Sequence, residues 1–103
     1  PKKKLTESNA FKKVDERTIR PYDLDWNDHV NNIVLLRYMM EALKSMQVED
    51  DQVSKILIHF KNELKLHQKG EILVSKVNQS YLTCIKDHLT QKEIAIADIS
   101  LRQ

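Results

Sequence analysis

The sequence predicts an α+β domain in which one long helix covers one face of an antiparallel sheet. Three observations predict it. An apolar pattern of helical period appears once, early in the chain, and segments of period two follow it. Only short polar turns separate those later segments, with no helix between them, so the strands run antiparallel rather than as parallel crossover units. At 103 residues the chain is one domain. A chain this size buries roughly 65% of its unfolded surface, enough for one sheet and one helix.

Residues 1 to 15 are polar and weakly patterned, which predicts an extended linker. "ERTIRPYDLDW", residues 16 to 26, has strand character, with Pro21 marking an edge or an irregularity. "VNNIVLLRYMMEALKSM" then places Val30, Ile33, Val34, Leu36, Met39, Met40 and Leu43 at helical spacing. Leu35, Tyr38 and Ala42 widen the stripe so far that the helix must be wrapped by a sheet. "QVEDDQ" is an acidic loop. "KILIHFKNELKL", residues 55 to 66, alternates with Ile56, Ile58, Phe60, Leu64 and Leu66 on one face. "HQKGE" turns the chain around Gly70. "ILVSKV" and "YLTCIKD" are two strands joined by "NQS", and "HLTQK" leads to the last, "EIAIADISL". There Ile94 and Ile96 share one parity while Ile99 and Leu101 take the other, which predicts a bulge near Ala97–Asp98.

Composition excludes several function classes. One glycine leaves no Gly-rich phosphate loop. No run approaches the roughly 20 apolar residues of a membrane span, and no signal-peptide pattern is present. The lone cysteine, Cys84, cannot form an internal disulfide, which favours a reducing, cytoplasmic setting. Lys2, Lys3, Lys4, Lys12 and Lys13 make the start basic. That stretch reads first as a solvated end and second as a docking surface for an acidic partner. It lacks the interleaved aromatics and motifs of a nucleic-acid binder. His59, His67 and His88 show no metal-ligand spacing with each other or with Cys84, so no metal or cofactor is expected. Met39, Met40 and Met46 read as core filler, with lining of an apolar tunnel as the alternative.

The densest polar stretch is "DLDWNDHVNN", residues 23 to 32, set against the start of the helix. If residues 23 to 29 run extended, Asp23, Asp25, Asn27 and His29 share one side, opposite Leu24, Trp26 and Asp28. Asn27 or Asp28 is then the candidate N-cap. The backbone N–H groups of His29 and Val30, in the first turn, would form an oxyanion site. A cap with no further role explains the same residues.

"LDWNDHVNNIVLLRYMMEAL" resembles the signature of the acyl-acyl carrier protein (acyl-ACP) thioesterases, a family of tandem hotdog domains. The motif is carried here by Asp25, Asn27, His29, Val30, Asn31 and Asn32. "ILIHFKNELKLHQKGEI" resembles the family's second patch, with Glu63 in the place of its catalytic glutamate. The likeness covers roughly residues 16 to 101 and is to the second, catalytic half. It implies a hotdog domain over residues 16 to 103, an antiparallel sheet wrapped around one long central helix. Residues 1 to 15 would be the linker from a first hotdog domain.

The resemblance also implies hydrolysis of fatty acyl-ACP to free fatty acid and carrier thiol, ending fatty-acid synthesis. Glu63 would activate water, Asn27 would position the water or the thioester carbonyl, and His29 would orient or assist. Asp25 would hold the others or attack through a transient anhydride; the sequence leaves both open. The partners implied are acyl-ACP and a first hotdog half forming a pseudo-dimer, or a second copy forming a homodimer. Lysines 2 to 4, 12, 13 and 61 could meet an acidic carrier. Two positions depart from the family. Leu35 stands where an aromatic residue is common, and Leu64 stands where plant members place a cysteine, so a cysteine nucleophile is not expected. By strict alternation Glu63 lies on the polar face of its strand, which equally suits a solvent-facing side chain. A single-domain acyl-CoA thioesterase working as a homodimer and a non-catalytic acyl-thioester-binding module are the rival readings.

Overall fold

The computed structural model of the protein describes residues 10–102. Residues 1 to 9 of the linker expected over residues 1 to 15, with Lys2, Lys3 and Lys4, lie outside the described residues. The order is β1 (Lys12–Thr18), a 3-10 turn (Pro21–Asp23), α1 (Asn32–Ser45), a second 3-10 turn (Asp50–Gln52), β2 (Val53–Phe60), β3 (Lys69–Val77), β4 (Ser80–Asp87) and β5 (Glu93–Leu101). The strands form one sheet in the order β1-β3-β4-β5-β2, and every pairing is antiparallel. The first strand therefore starts at Lys12, inside the expected linker, and ends at Thr18. Residues 19–26 do not continue it.

Helix α1 forms where its apolar spacing predicts, but its cap is Asn31, whose side chain accepts the Ile33 N–H at 2.8 Å. Neither Asn27 nor Asp28 caps it. Such a cap contributes about 1 kcal/mol. The helix ends at Met46, after which Gln47 takes a left-handed φ of 68°. Leu35, Tyr38, Met39, Ala42 and Leu43 are buried, in one core with Ile72, Val74, Tyr81, Ile85, Ala95, Ala97 and Ile99 from the sheet. Ile56, Ile58 and Phe60 of β2 pack at the edge of that core, as their shared parity predicts. Each fully buried aliphatic side chain contributes about 1.5–3 kcal/mol, so this face holds the helix to the sheet.

Three strand expectations change. Strand β2 stops at Phe60; residues 61 to 68 form a loop, although Leu64 from that loop still enters the core at 2% exposure. Gly70 lies within β3, paired with Arg17 and Asp87, and the chain reverses before it. A side chain on Gly70 would start 2.9 Å from Leu64 Cδ1 and 3.1 Å from Ile85 Cγ2. Leu64 packs into the space that the missing side chain leaves, and it and Ile85 would have to give way to a Cβ there. In β5 the register with β4 runs unbroken from Ser100 to Ala95, so nothing bulges at Ala97–Asp98. The irregularity falls at Ile94, skipped between the Ile85–Ala95 and Lys86–Glu93 pairs. Ala95, Ala97 and Ile99 lie in the helix-side core, while Ile96 is buried on the other face beside Cys84. Ile94, at the irregularity, lies in the helix-side core with Ile99, so the change of parity is met by a register shift three residues earlier than expected.

Candidate active site

Residues 24–30 form a tight turn rather than an extended strand. Leu24 makes an isolated antiparallel bridge to Val30. Within it the Asp25 N–H donates to the His29 carbonyl at 2.8 Å, and the Asp28 N–H donates to the Asp25 carbonyl at 3.0 Å. Asp28 carries a φ of 63°, a left-handed conformation that Asp tolerates better than most residues. The Asp25 carboxylate is the keystone. Its Oδ1 accepts the N–H groups of Asn27 at 2.9 Å and His29 at 3.1 Å. Short acidic side chains compete for nearby backbone donors in this way, which is why the stretch turns.

Asp23 belongs to a different environment. It sits in the 3-10 turn at 4% exposure, accepts the Arg20 N–H at 2.9 Å, and hydrogen-bonds the Tyr38 hydroxyl. Burial, then the Asp23 carboxylate, pushes the Tyr38 hydroxyl pKa up. Asp23 thus anchors the turn to α1 and does not share a face with Asp25, Asn27 and His29.

The second half of the site is the loop after β2. The N–H groups of Lys61 and Asn62 both donate to the carbonyl of Ile94, at 2.8 and 3.2 Å. The skipped residue of β5 therefore holds the start of the loop; bulges beside functional sites commonly re-aim groups in this way. At the far end Ile19 donates to Gln68 and accepts from His67, both at 2.9 Å. Between these ties Leu64 is buried and Glu63 is exposed. The loop brings Glu63 to His29, whose Nδ1 lies 2.6 Å from Glu63 Oε1 across 34 residues of sequence. Glu63 is not on a strand, so the alternation argument does not apply to it.

Of the four expected side chains, the structure joins His29 and Glu63 directly and ties the backbones of Asn27 and His29 to Asp25. Asn27 is exposed on the same turn. The His29 N–H, one of the two expected oxyanion donors, is bound to Asp25. Because α1 begins at Asn32, neither His29 nor Val30 lies in its first turn. Glu63 also borders a cavity of about 450 Å³ with Lys61, Lys65, Gln68, Thr90 and Lys92. Spacing gave no signal for Lys65 or Lys92, since the cavity joins two loops distant in sequence.

Cys84 is fully buried on the outer face of the sheet, where burial pushes its thiol up to about 12. A thiol held protonated and out of solvent is no nucleophile. In the native protein it should resist a thiol-specific aromatic disulfide reagent at pH 8 and react stoichiometrically once denatured. Fast labelling of the native protein would refute that burial. His88, for which no ligand partner was read from spacing, meets Glu71 at 2.6 Å and Glu16 at 3.9 Å. Lys13 pairs with Glu16, and Lys69 lies 3.7 Å from it, so the cluster already carries its own cations. It is an ion-pair network tying β1 to β3.

Residues 6–101 match the family model of the acyl-ACP thioesterase C-terminal domain. The chain belongs to that family. This acyl-ACP thioesterase C-terminal domain is similar in structure to the 12:0-ACP thioesterase of Umbellularia californica. The TM-score is 0.77 and the identity 22%, over 99% of this chain and 39% of that one. An acyl-ACP thioesterase from Bacteroides thetaiotaomicron matches with TM-score 0.75 at 14% identity, covering 88% of this chain and 37% of that one. A Staphylococcus aureus protein described in complex with CoA matches with TM-score 0.73 at 8% identity, covering 85% and 76%. No curated protein sequence matches the chain. The likenesses establish the hotdog fold, a sheet wrapped around its one long helix. The domain spans less than two fifths of each acyl-ACP thioesterase structure. Among the described residues, no helix is long and apolar enough to cross a membrane.

Proposed function

We propose that this domain is the catalytic hotdog half of a cytoplasmic enzyme that hydrolyses fatty acyl-ACP, releasing free fatty acid and ending chain synthesis. The observation that carries the reading is the 2.6 Å contact between His29 and Glu63, made by two motifs 34 residues apart. The His29 Nδ1–H donates to Glu63 Oε1 and orients the carboxylate, leaving Oε2 for a water. Glu63 takes a proton from that water as its oxygen attacks the thioester carbonyl carbon. The tetrahedral intermediate then collapses, the C–S bond breaks, and the proton on Glu63 passes to the departing thiolate. Asn27 presents its side-chain amide to the carbonyl oxygen, where negative charge develops. For the His29 amide to serve there as well, beside Val30, Asp25 must release it.

Asp25 is assigned as a positioning residue. Two amides already converge on its Oδ1, which favours holding the turn over attack through an anhydride.

The His29 and Glu63 side chains are 56% and 61% exposed, too open to exclude bulk water. Trp26 and Ile33, at 91% and 71%, stand on the same loop and at the start of the helix. A second hotdog half laid over them would close the site, joined through the chain that precedes β1. Strand β2 is a sheet edge, and Leu57 on it is 58% exposed; pairing there would continue the sheet.

The test is thiol release from a long-chain acyl-ACP and the matching acyl-CoA by the full-length gene product. Faster turnover of the carrier substrate is expected. Preference for acyl-CoA by a homodimer would replace this reading with the single-domain one. Tight binding of both without turnover would leave a non-catalytic module.

A further inference from the structure

The cavity bordered by Glu63 is lined by three lysines, Lys61, Lys65 and Lys92, and by the carboxylates of Glu63 and Asp87. Lys61 is paired with Glu93 at 2.6 Å. The Asp87 carboxylate, also in the lining, accepts the N–H groups of Leu89 and Thr90. Lys65 and Lys92 make no ion pair among the described residues, and both are exposed. Each stands on fixed backbone. The Lys65 N–H donates to Gln68 Oε1 at 2.7 Å and the Lys92 N–H to Thr90 Oγ1 at 3.3 Å, and Gln68 and Thr90 themselves line the cavity. Two free ammonium groups, supplied by separate loops to one cleft, make a site for an anion.

The reading of the site as a thioester hydrolase, on which this step rests, says which anion. An acyl chain and its thioester are uncharged. The charged group that every such substrate shares is the phosphate of the 4′-phosphopantetheine arm, present in both carrier protein and CoA. We infer that Lys65 and Lys92 seat that phosphate, and that the arm enters through this cavity toward Glu63. The lysines act as point charges on flexible stems, so the seat fixes the arm's path without demanding one orientation of the phosphate.

Calorimetric titration of the full-length protein with 4′-phosphopantetheine and with pantetheine, which lacks the phosphate, tests this directly. Charge-assisted contacts of this kind predict binding about 10- to 100-fold tighter with the phosphate. The advantage should shrink with salt, and fall to within about threefold in the K65Q/K92Q double variant. Equal affinity for the two ligands in the wild type would overturn the inference, as would an advantage that survives the double substitution. Both side chains are exposed, so the variant should keep its circular dichroism spectrum; the single K65Q and K92Q proteins, each with a partial loss, give the same reading if it does not. KM values separate the two sources of the arm. A rise by the same factor for acyl-ACP and acyl-CoA supports the phosphate seat. A rise confined to acyl-ACP overturns it, because the lysines would then be meeting the carrier's protein surface. The binding measurement also stands apart from turnover: a phosphate preference in a protein that hydrolyses neither thioester would retain the seat while removing the hydrolase reading.

Discussion

Glu63→Gln is expected to lower kcat for thioester hydrolysis by about 10²- to 10⁴-fold, the usual contribution of a positioned general base, with KM nearly unchanged. Glutamine keeps the size of the side chain and can still accept the His29 Nδ1–H through its oxygen, so the 2.6 Å contact has a route to survive. What it cannot do is take a proton from water. Glu63 is exposed and its neighbour Leu64 supplies the packing, so the melting temperature should stay within a degree or two of wild type. Steady-state kinetics with a thermal melt on the same sample separates chemistry from folding. Wild-type kcat in the variant would remove Glu63 from the mechanism and leave the dyad as a surface ion pair.

Leu64→Ala should produce the largest loss of stability at the site, about 2–5 kcal/mol for a buried leucine that leaves a cavity. Leu64 is 2% exposed and occupies the space that Gly70 leaves open. It is the only side chain from residues 61–66 buried in the core. Its removal therefore does two things: it weakens the global fold and lets the stretch between the Ile94 and Ile19 ties shift. Activity should fall together with stability, unlike in Glu63→Gln. Chemical denaturation with kinetics well below the midpoint would show both. A stable Leu64→Ala protein with full activity would mean that packing under Glu63 does not set its position.

The helix was legible from the spacing of Val30, Ile33, Val34, Leu36, Met39, Met40 and Leu43. The face it buries is Met39 and Leu43 with Leu35, Tyr38 and Ala42, which had only widened the stripe, while Ile33 is exposed. Strands β3, β4 and β5 were legible from short apolar runs between polar turns. Errors arose where one residue satisfied a pattern for another reason. Leu64 keeps the parity of β2 but reaches the core from a loop, so alternation carried the strand too far. Asp25 and Asp28 were counted on an extended segment, although the Asp25 side chain draws in the N–H groups of Asn27 and His29 and closes a turn. The contact between His29 and Glu63 has no signature in spacing at all. Only the family resemblance placed those residues in one site, because motifs record which groups meet while periodicity records which groups are buried. Lys65 and Lys92 escaped both, belonging to neither a motif nor a periodic face.

The loop carrying Glu63 is tied at one end to Ile94 and at the other to Ile19. The conformational freedom of that segment is thus given up when the chain folds, before any substrate arrives. Fixing a residue's backbone costs about 1–2 kcal/mol, and a binding site ordered beforehand does not lose that amount again on each encounter. Substrate binding should accordingly show a small entropic penalty from this side of the site, with most of the ordering confined to the flexible arm of the thioester.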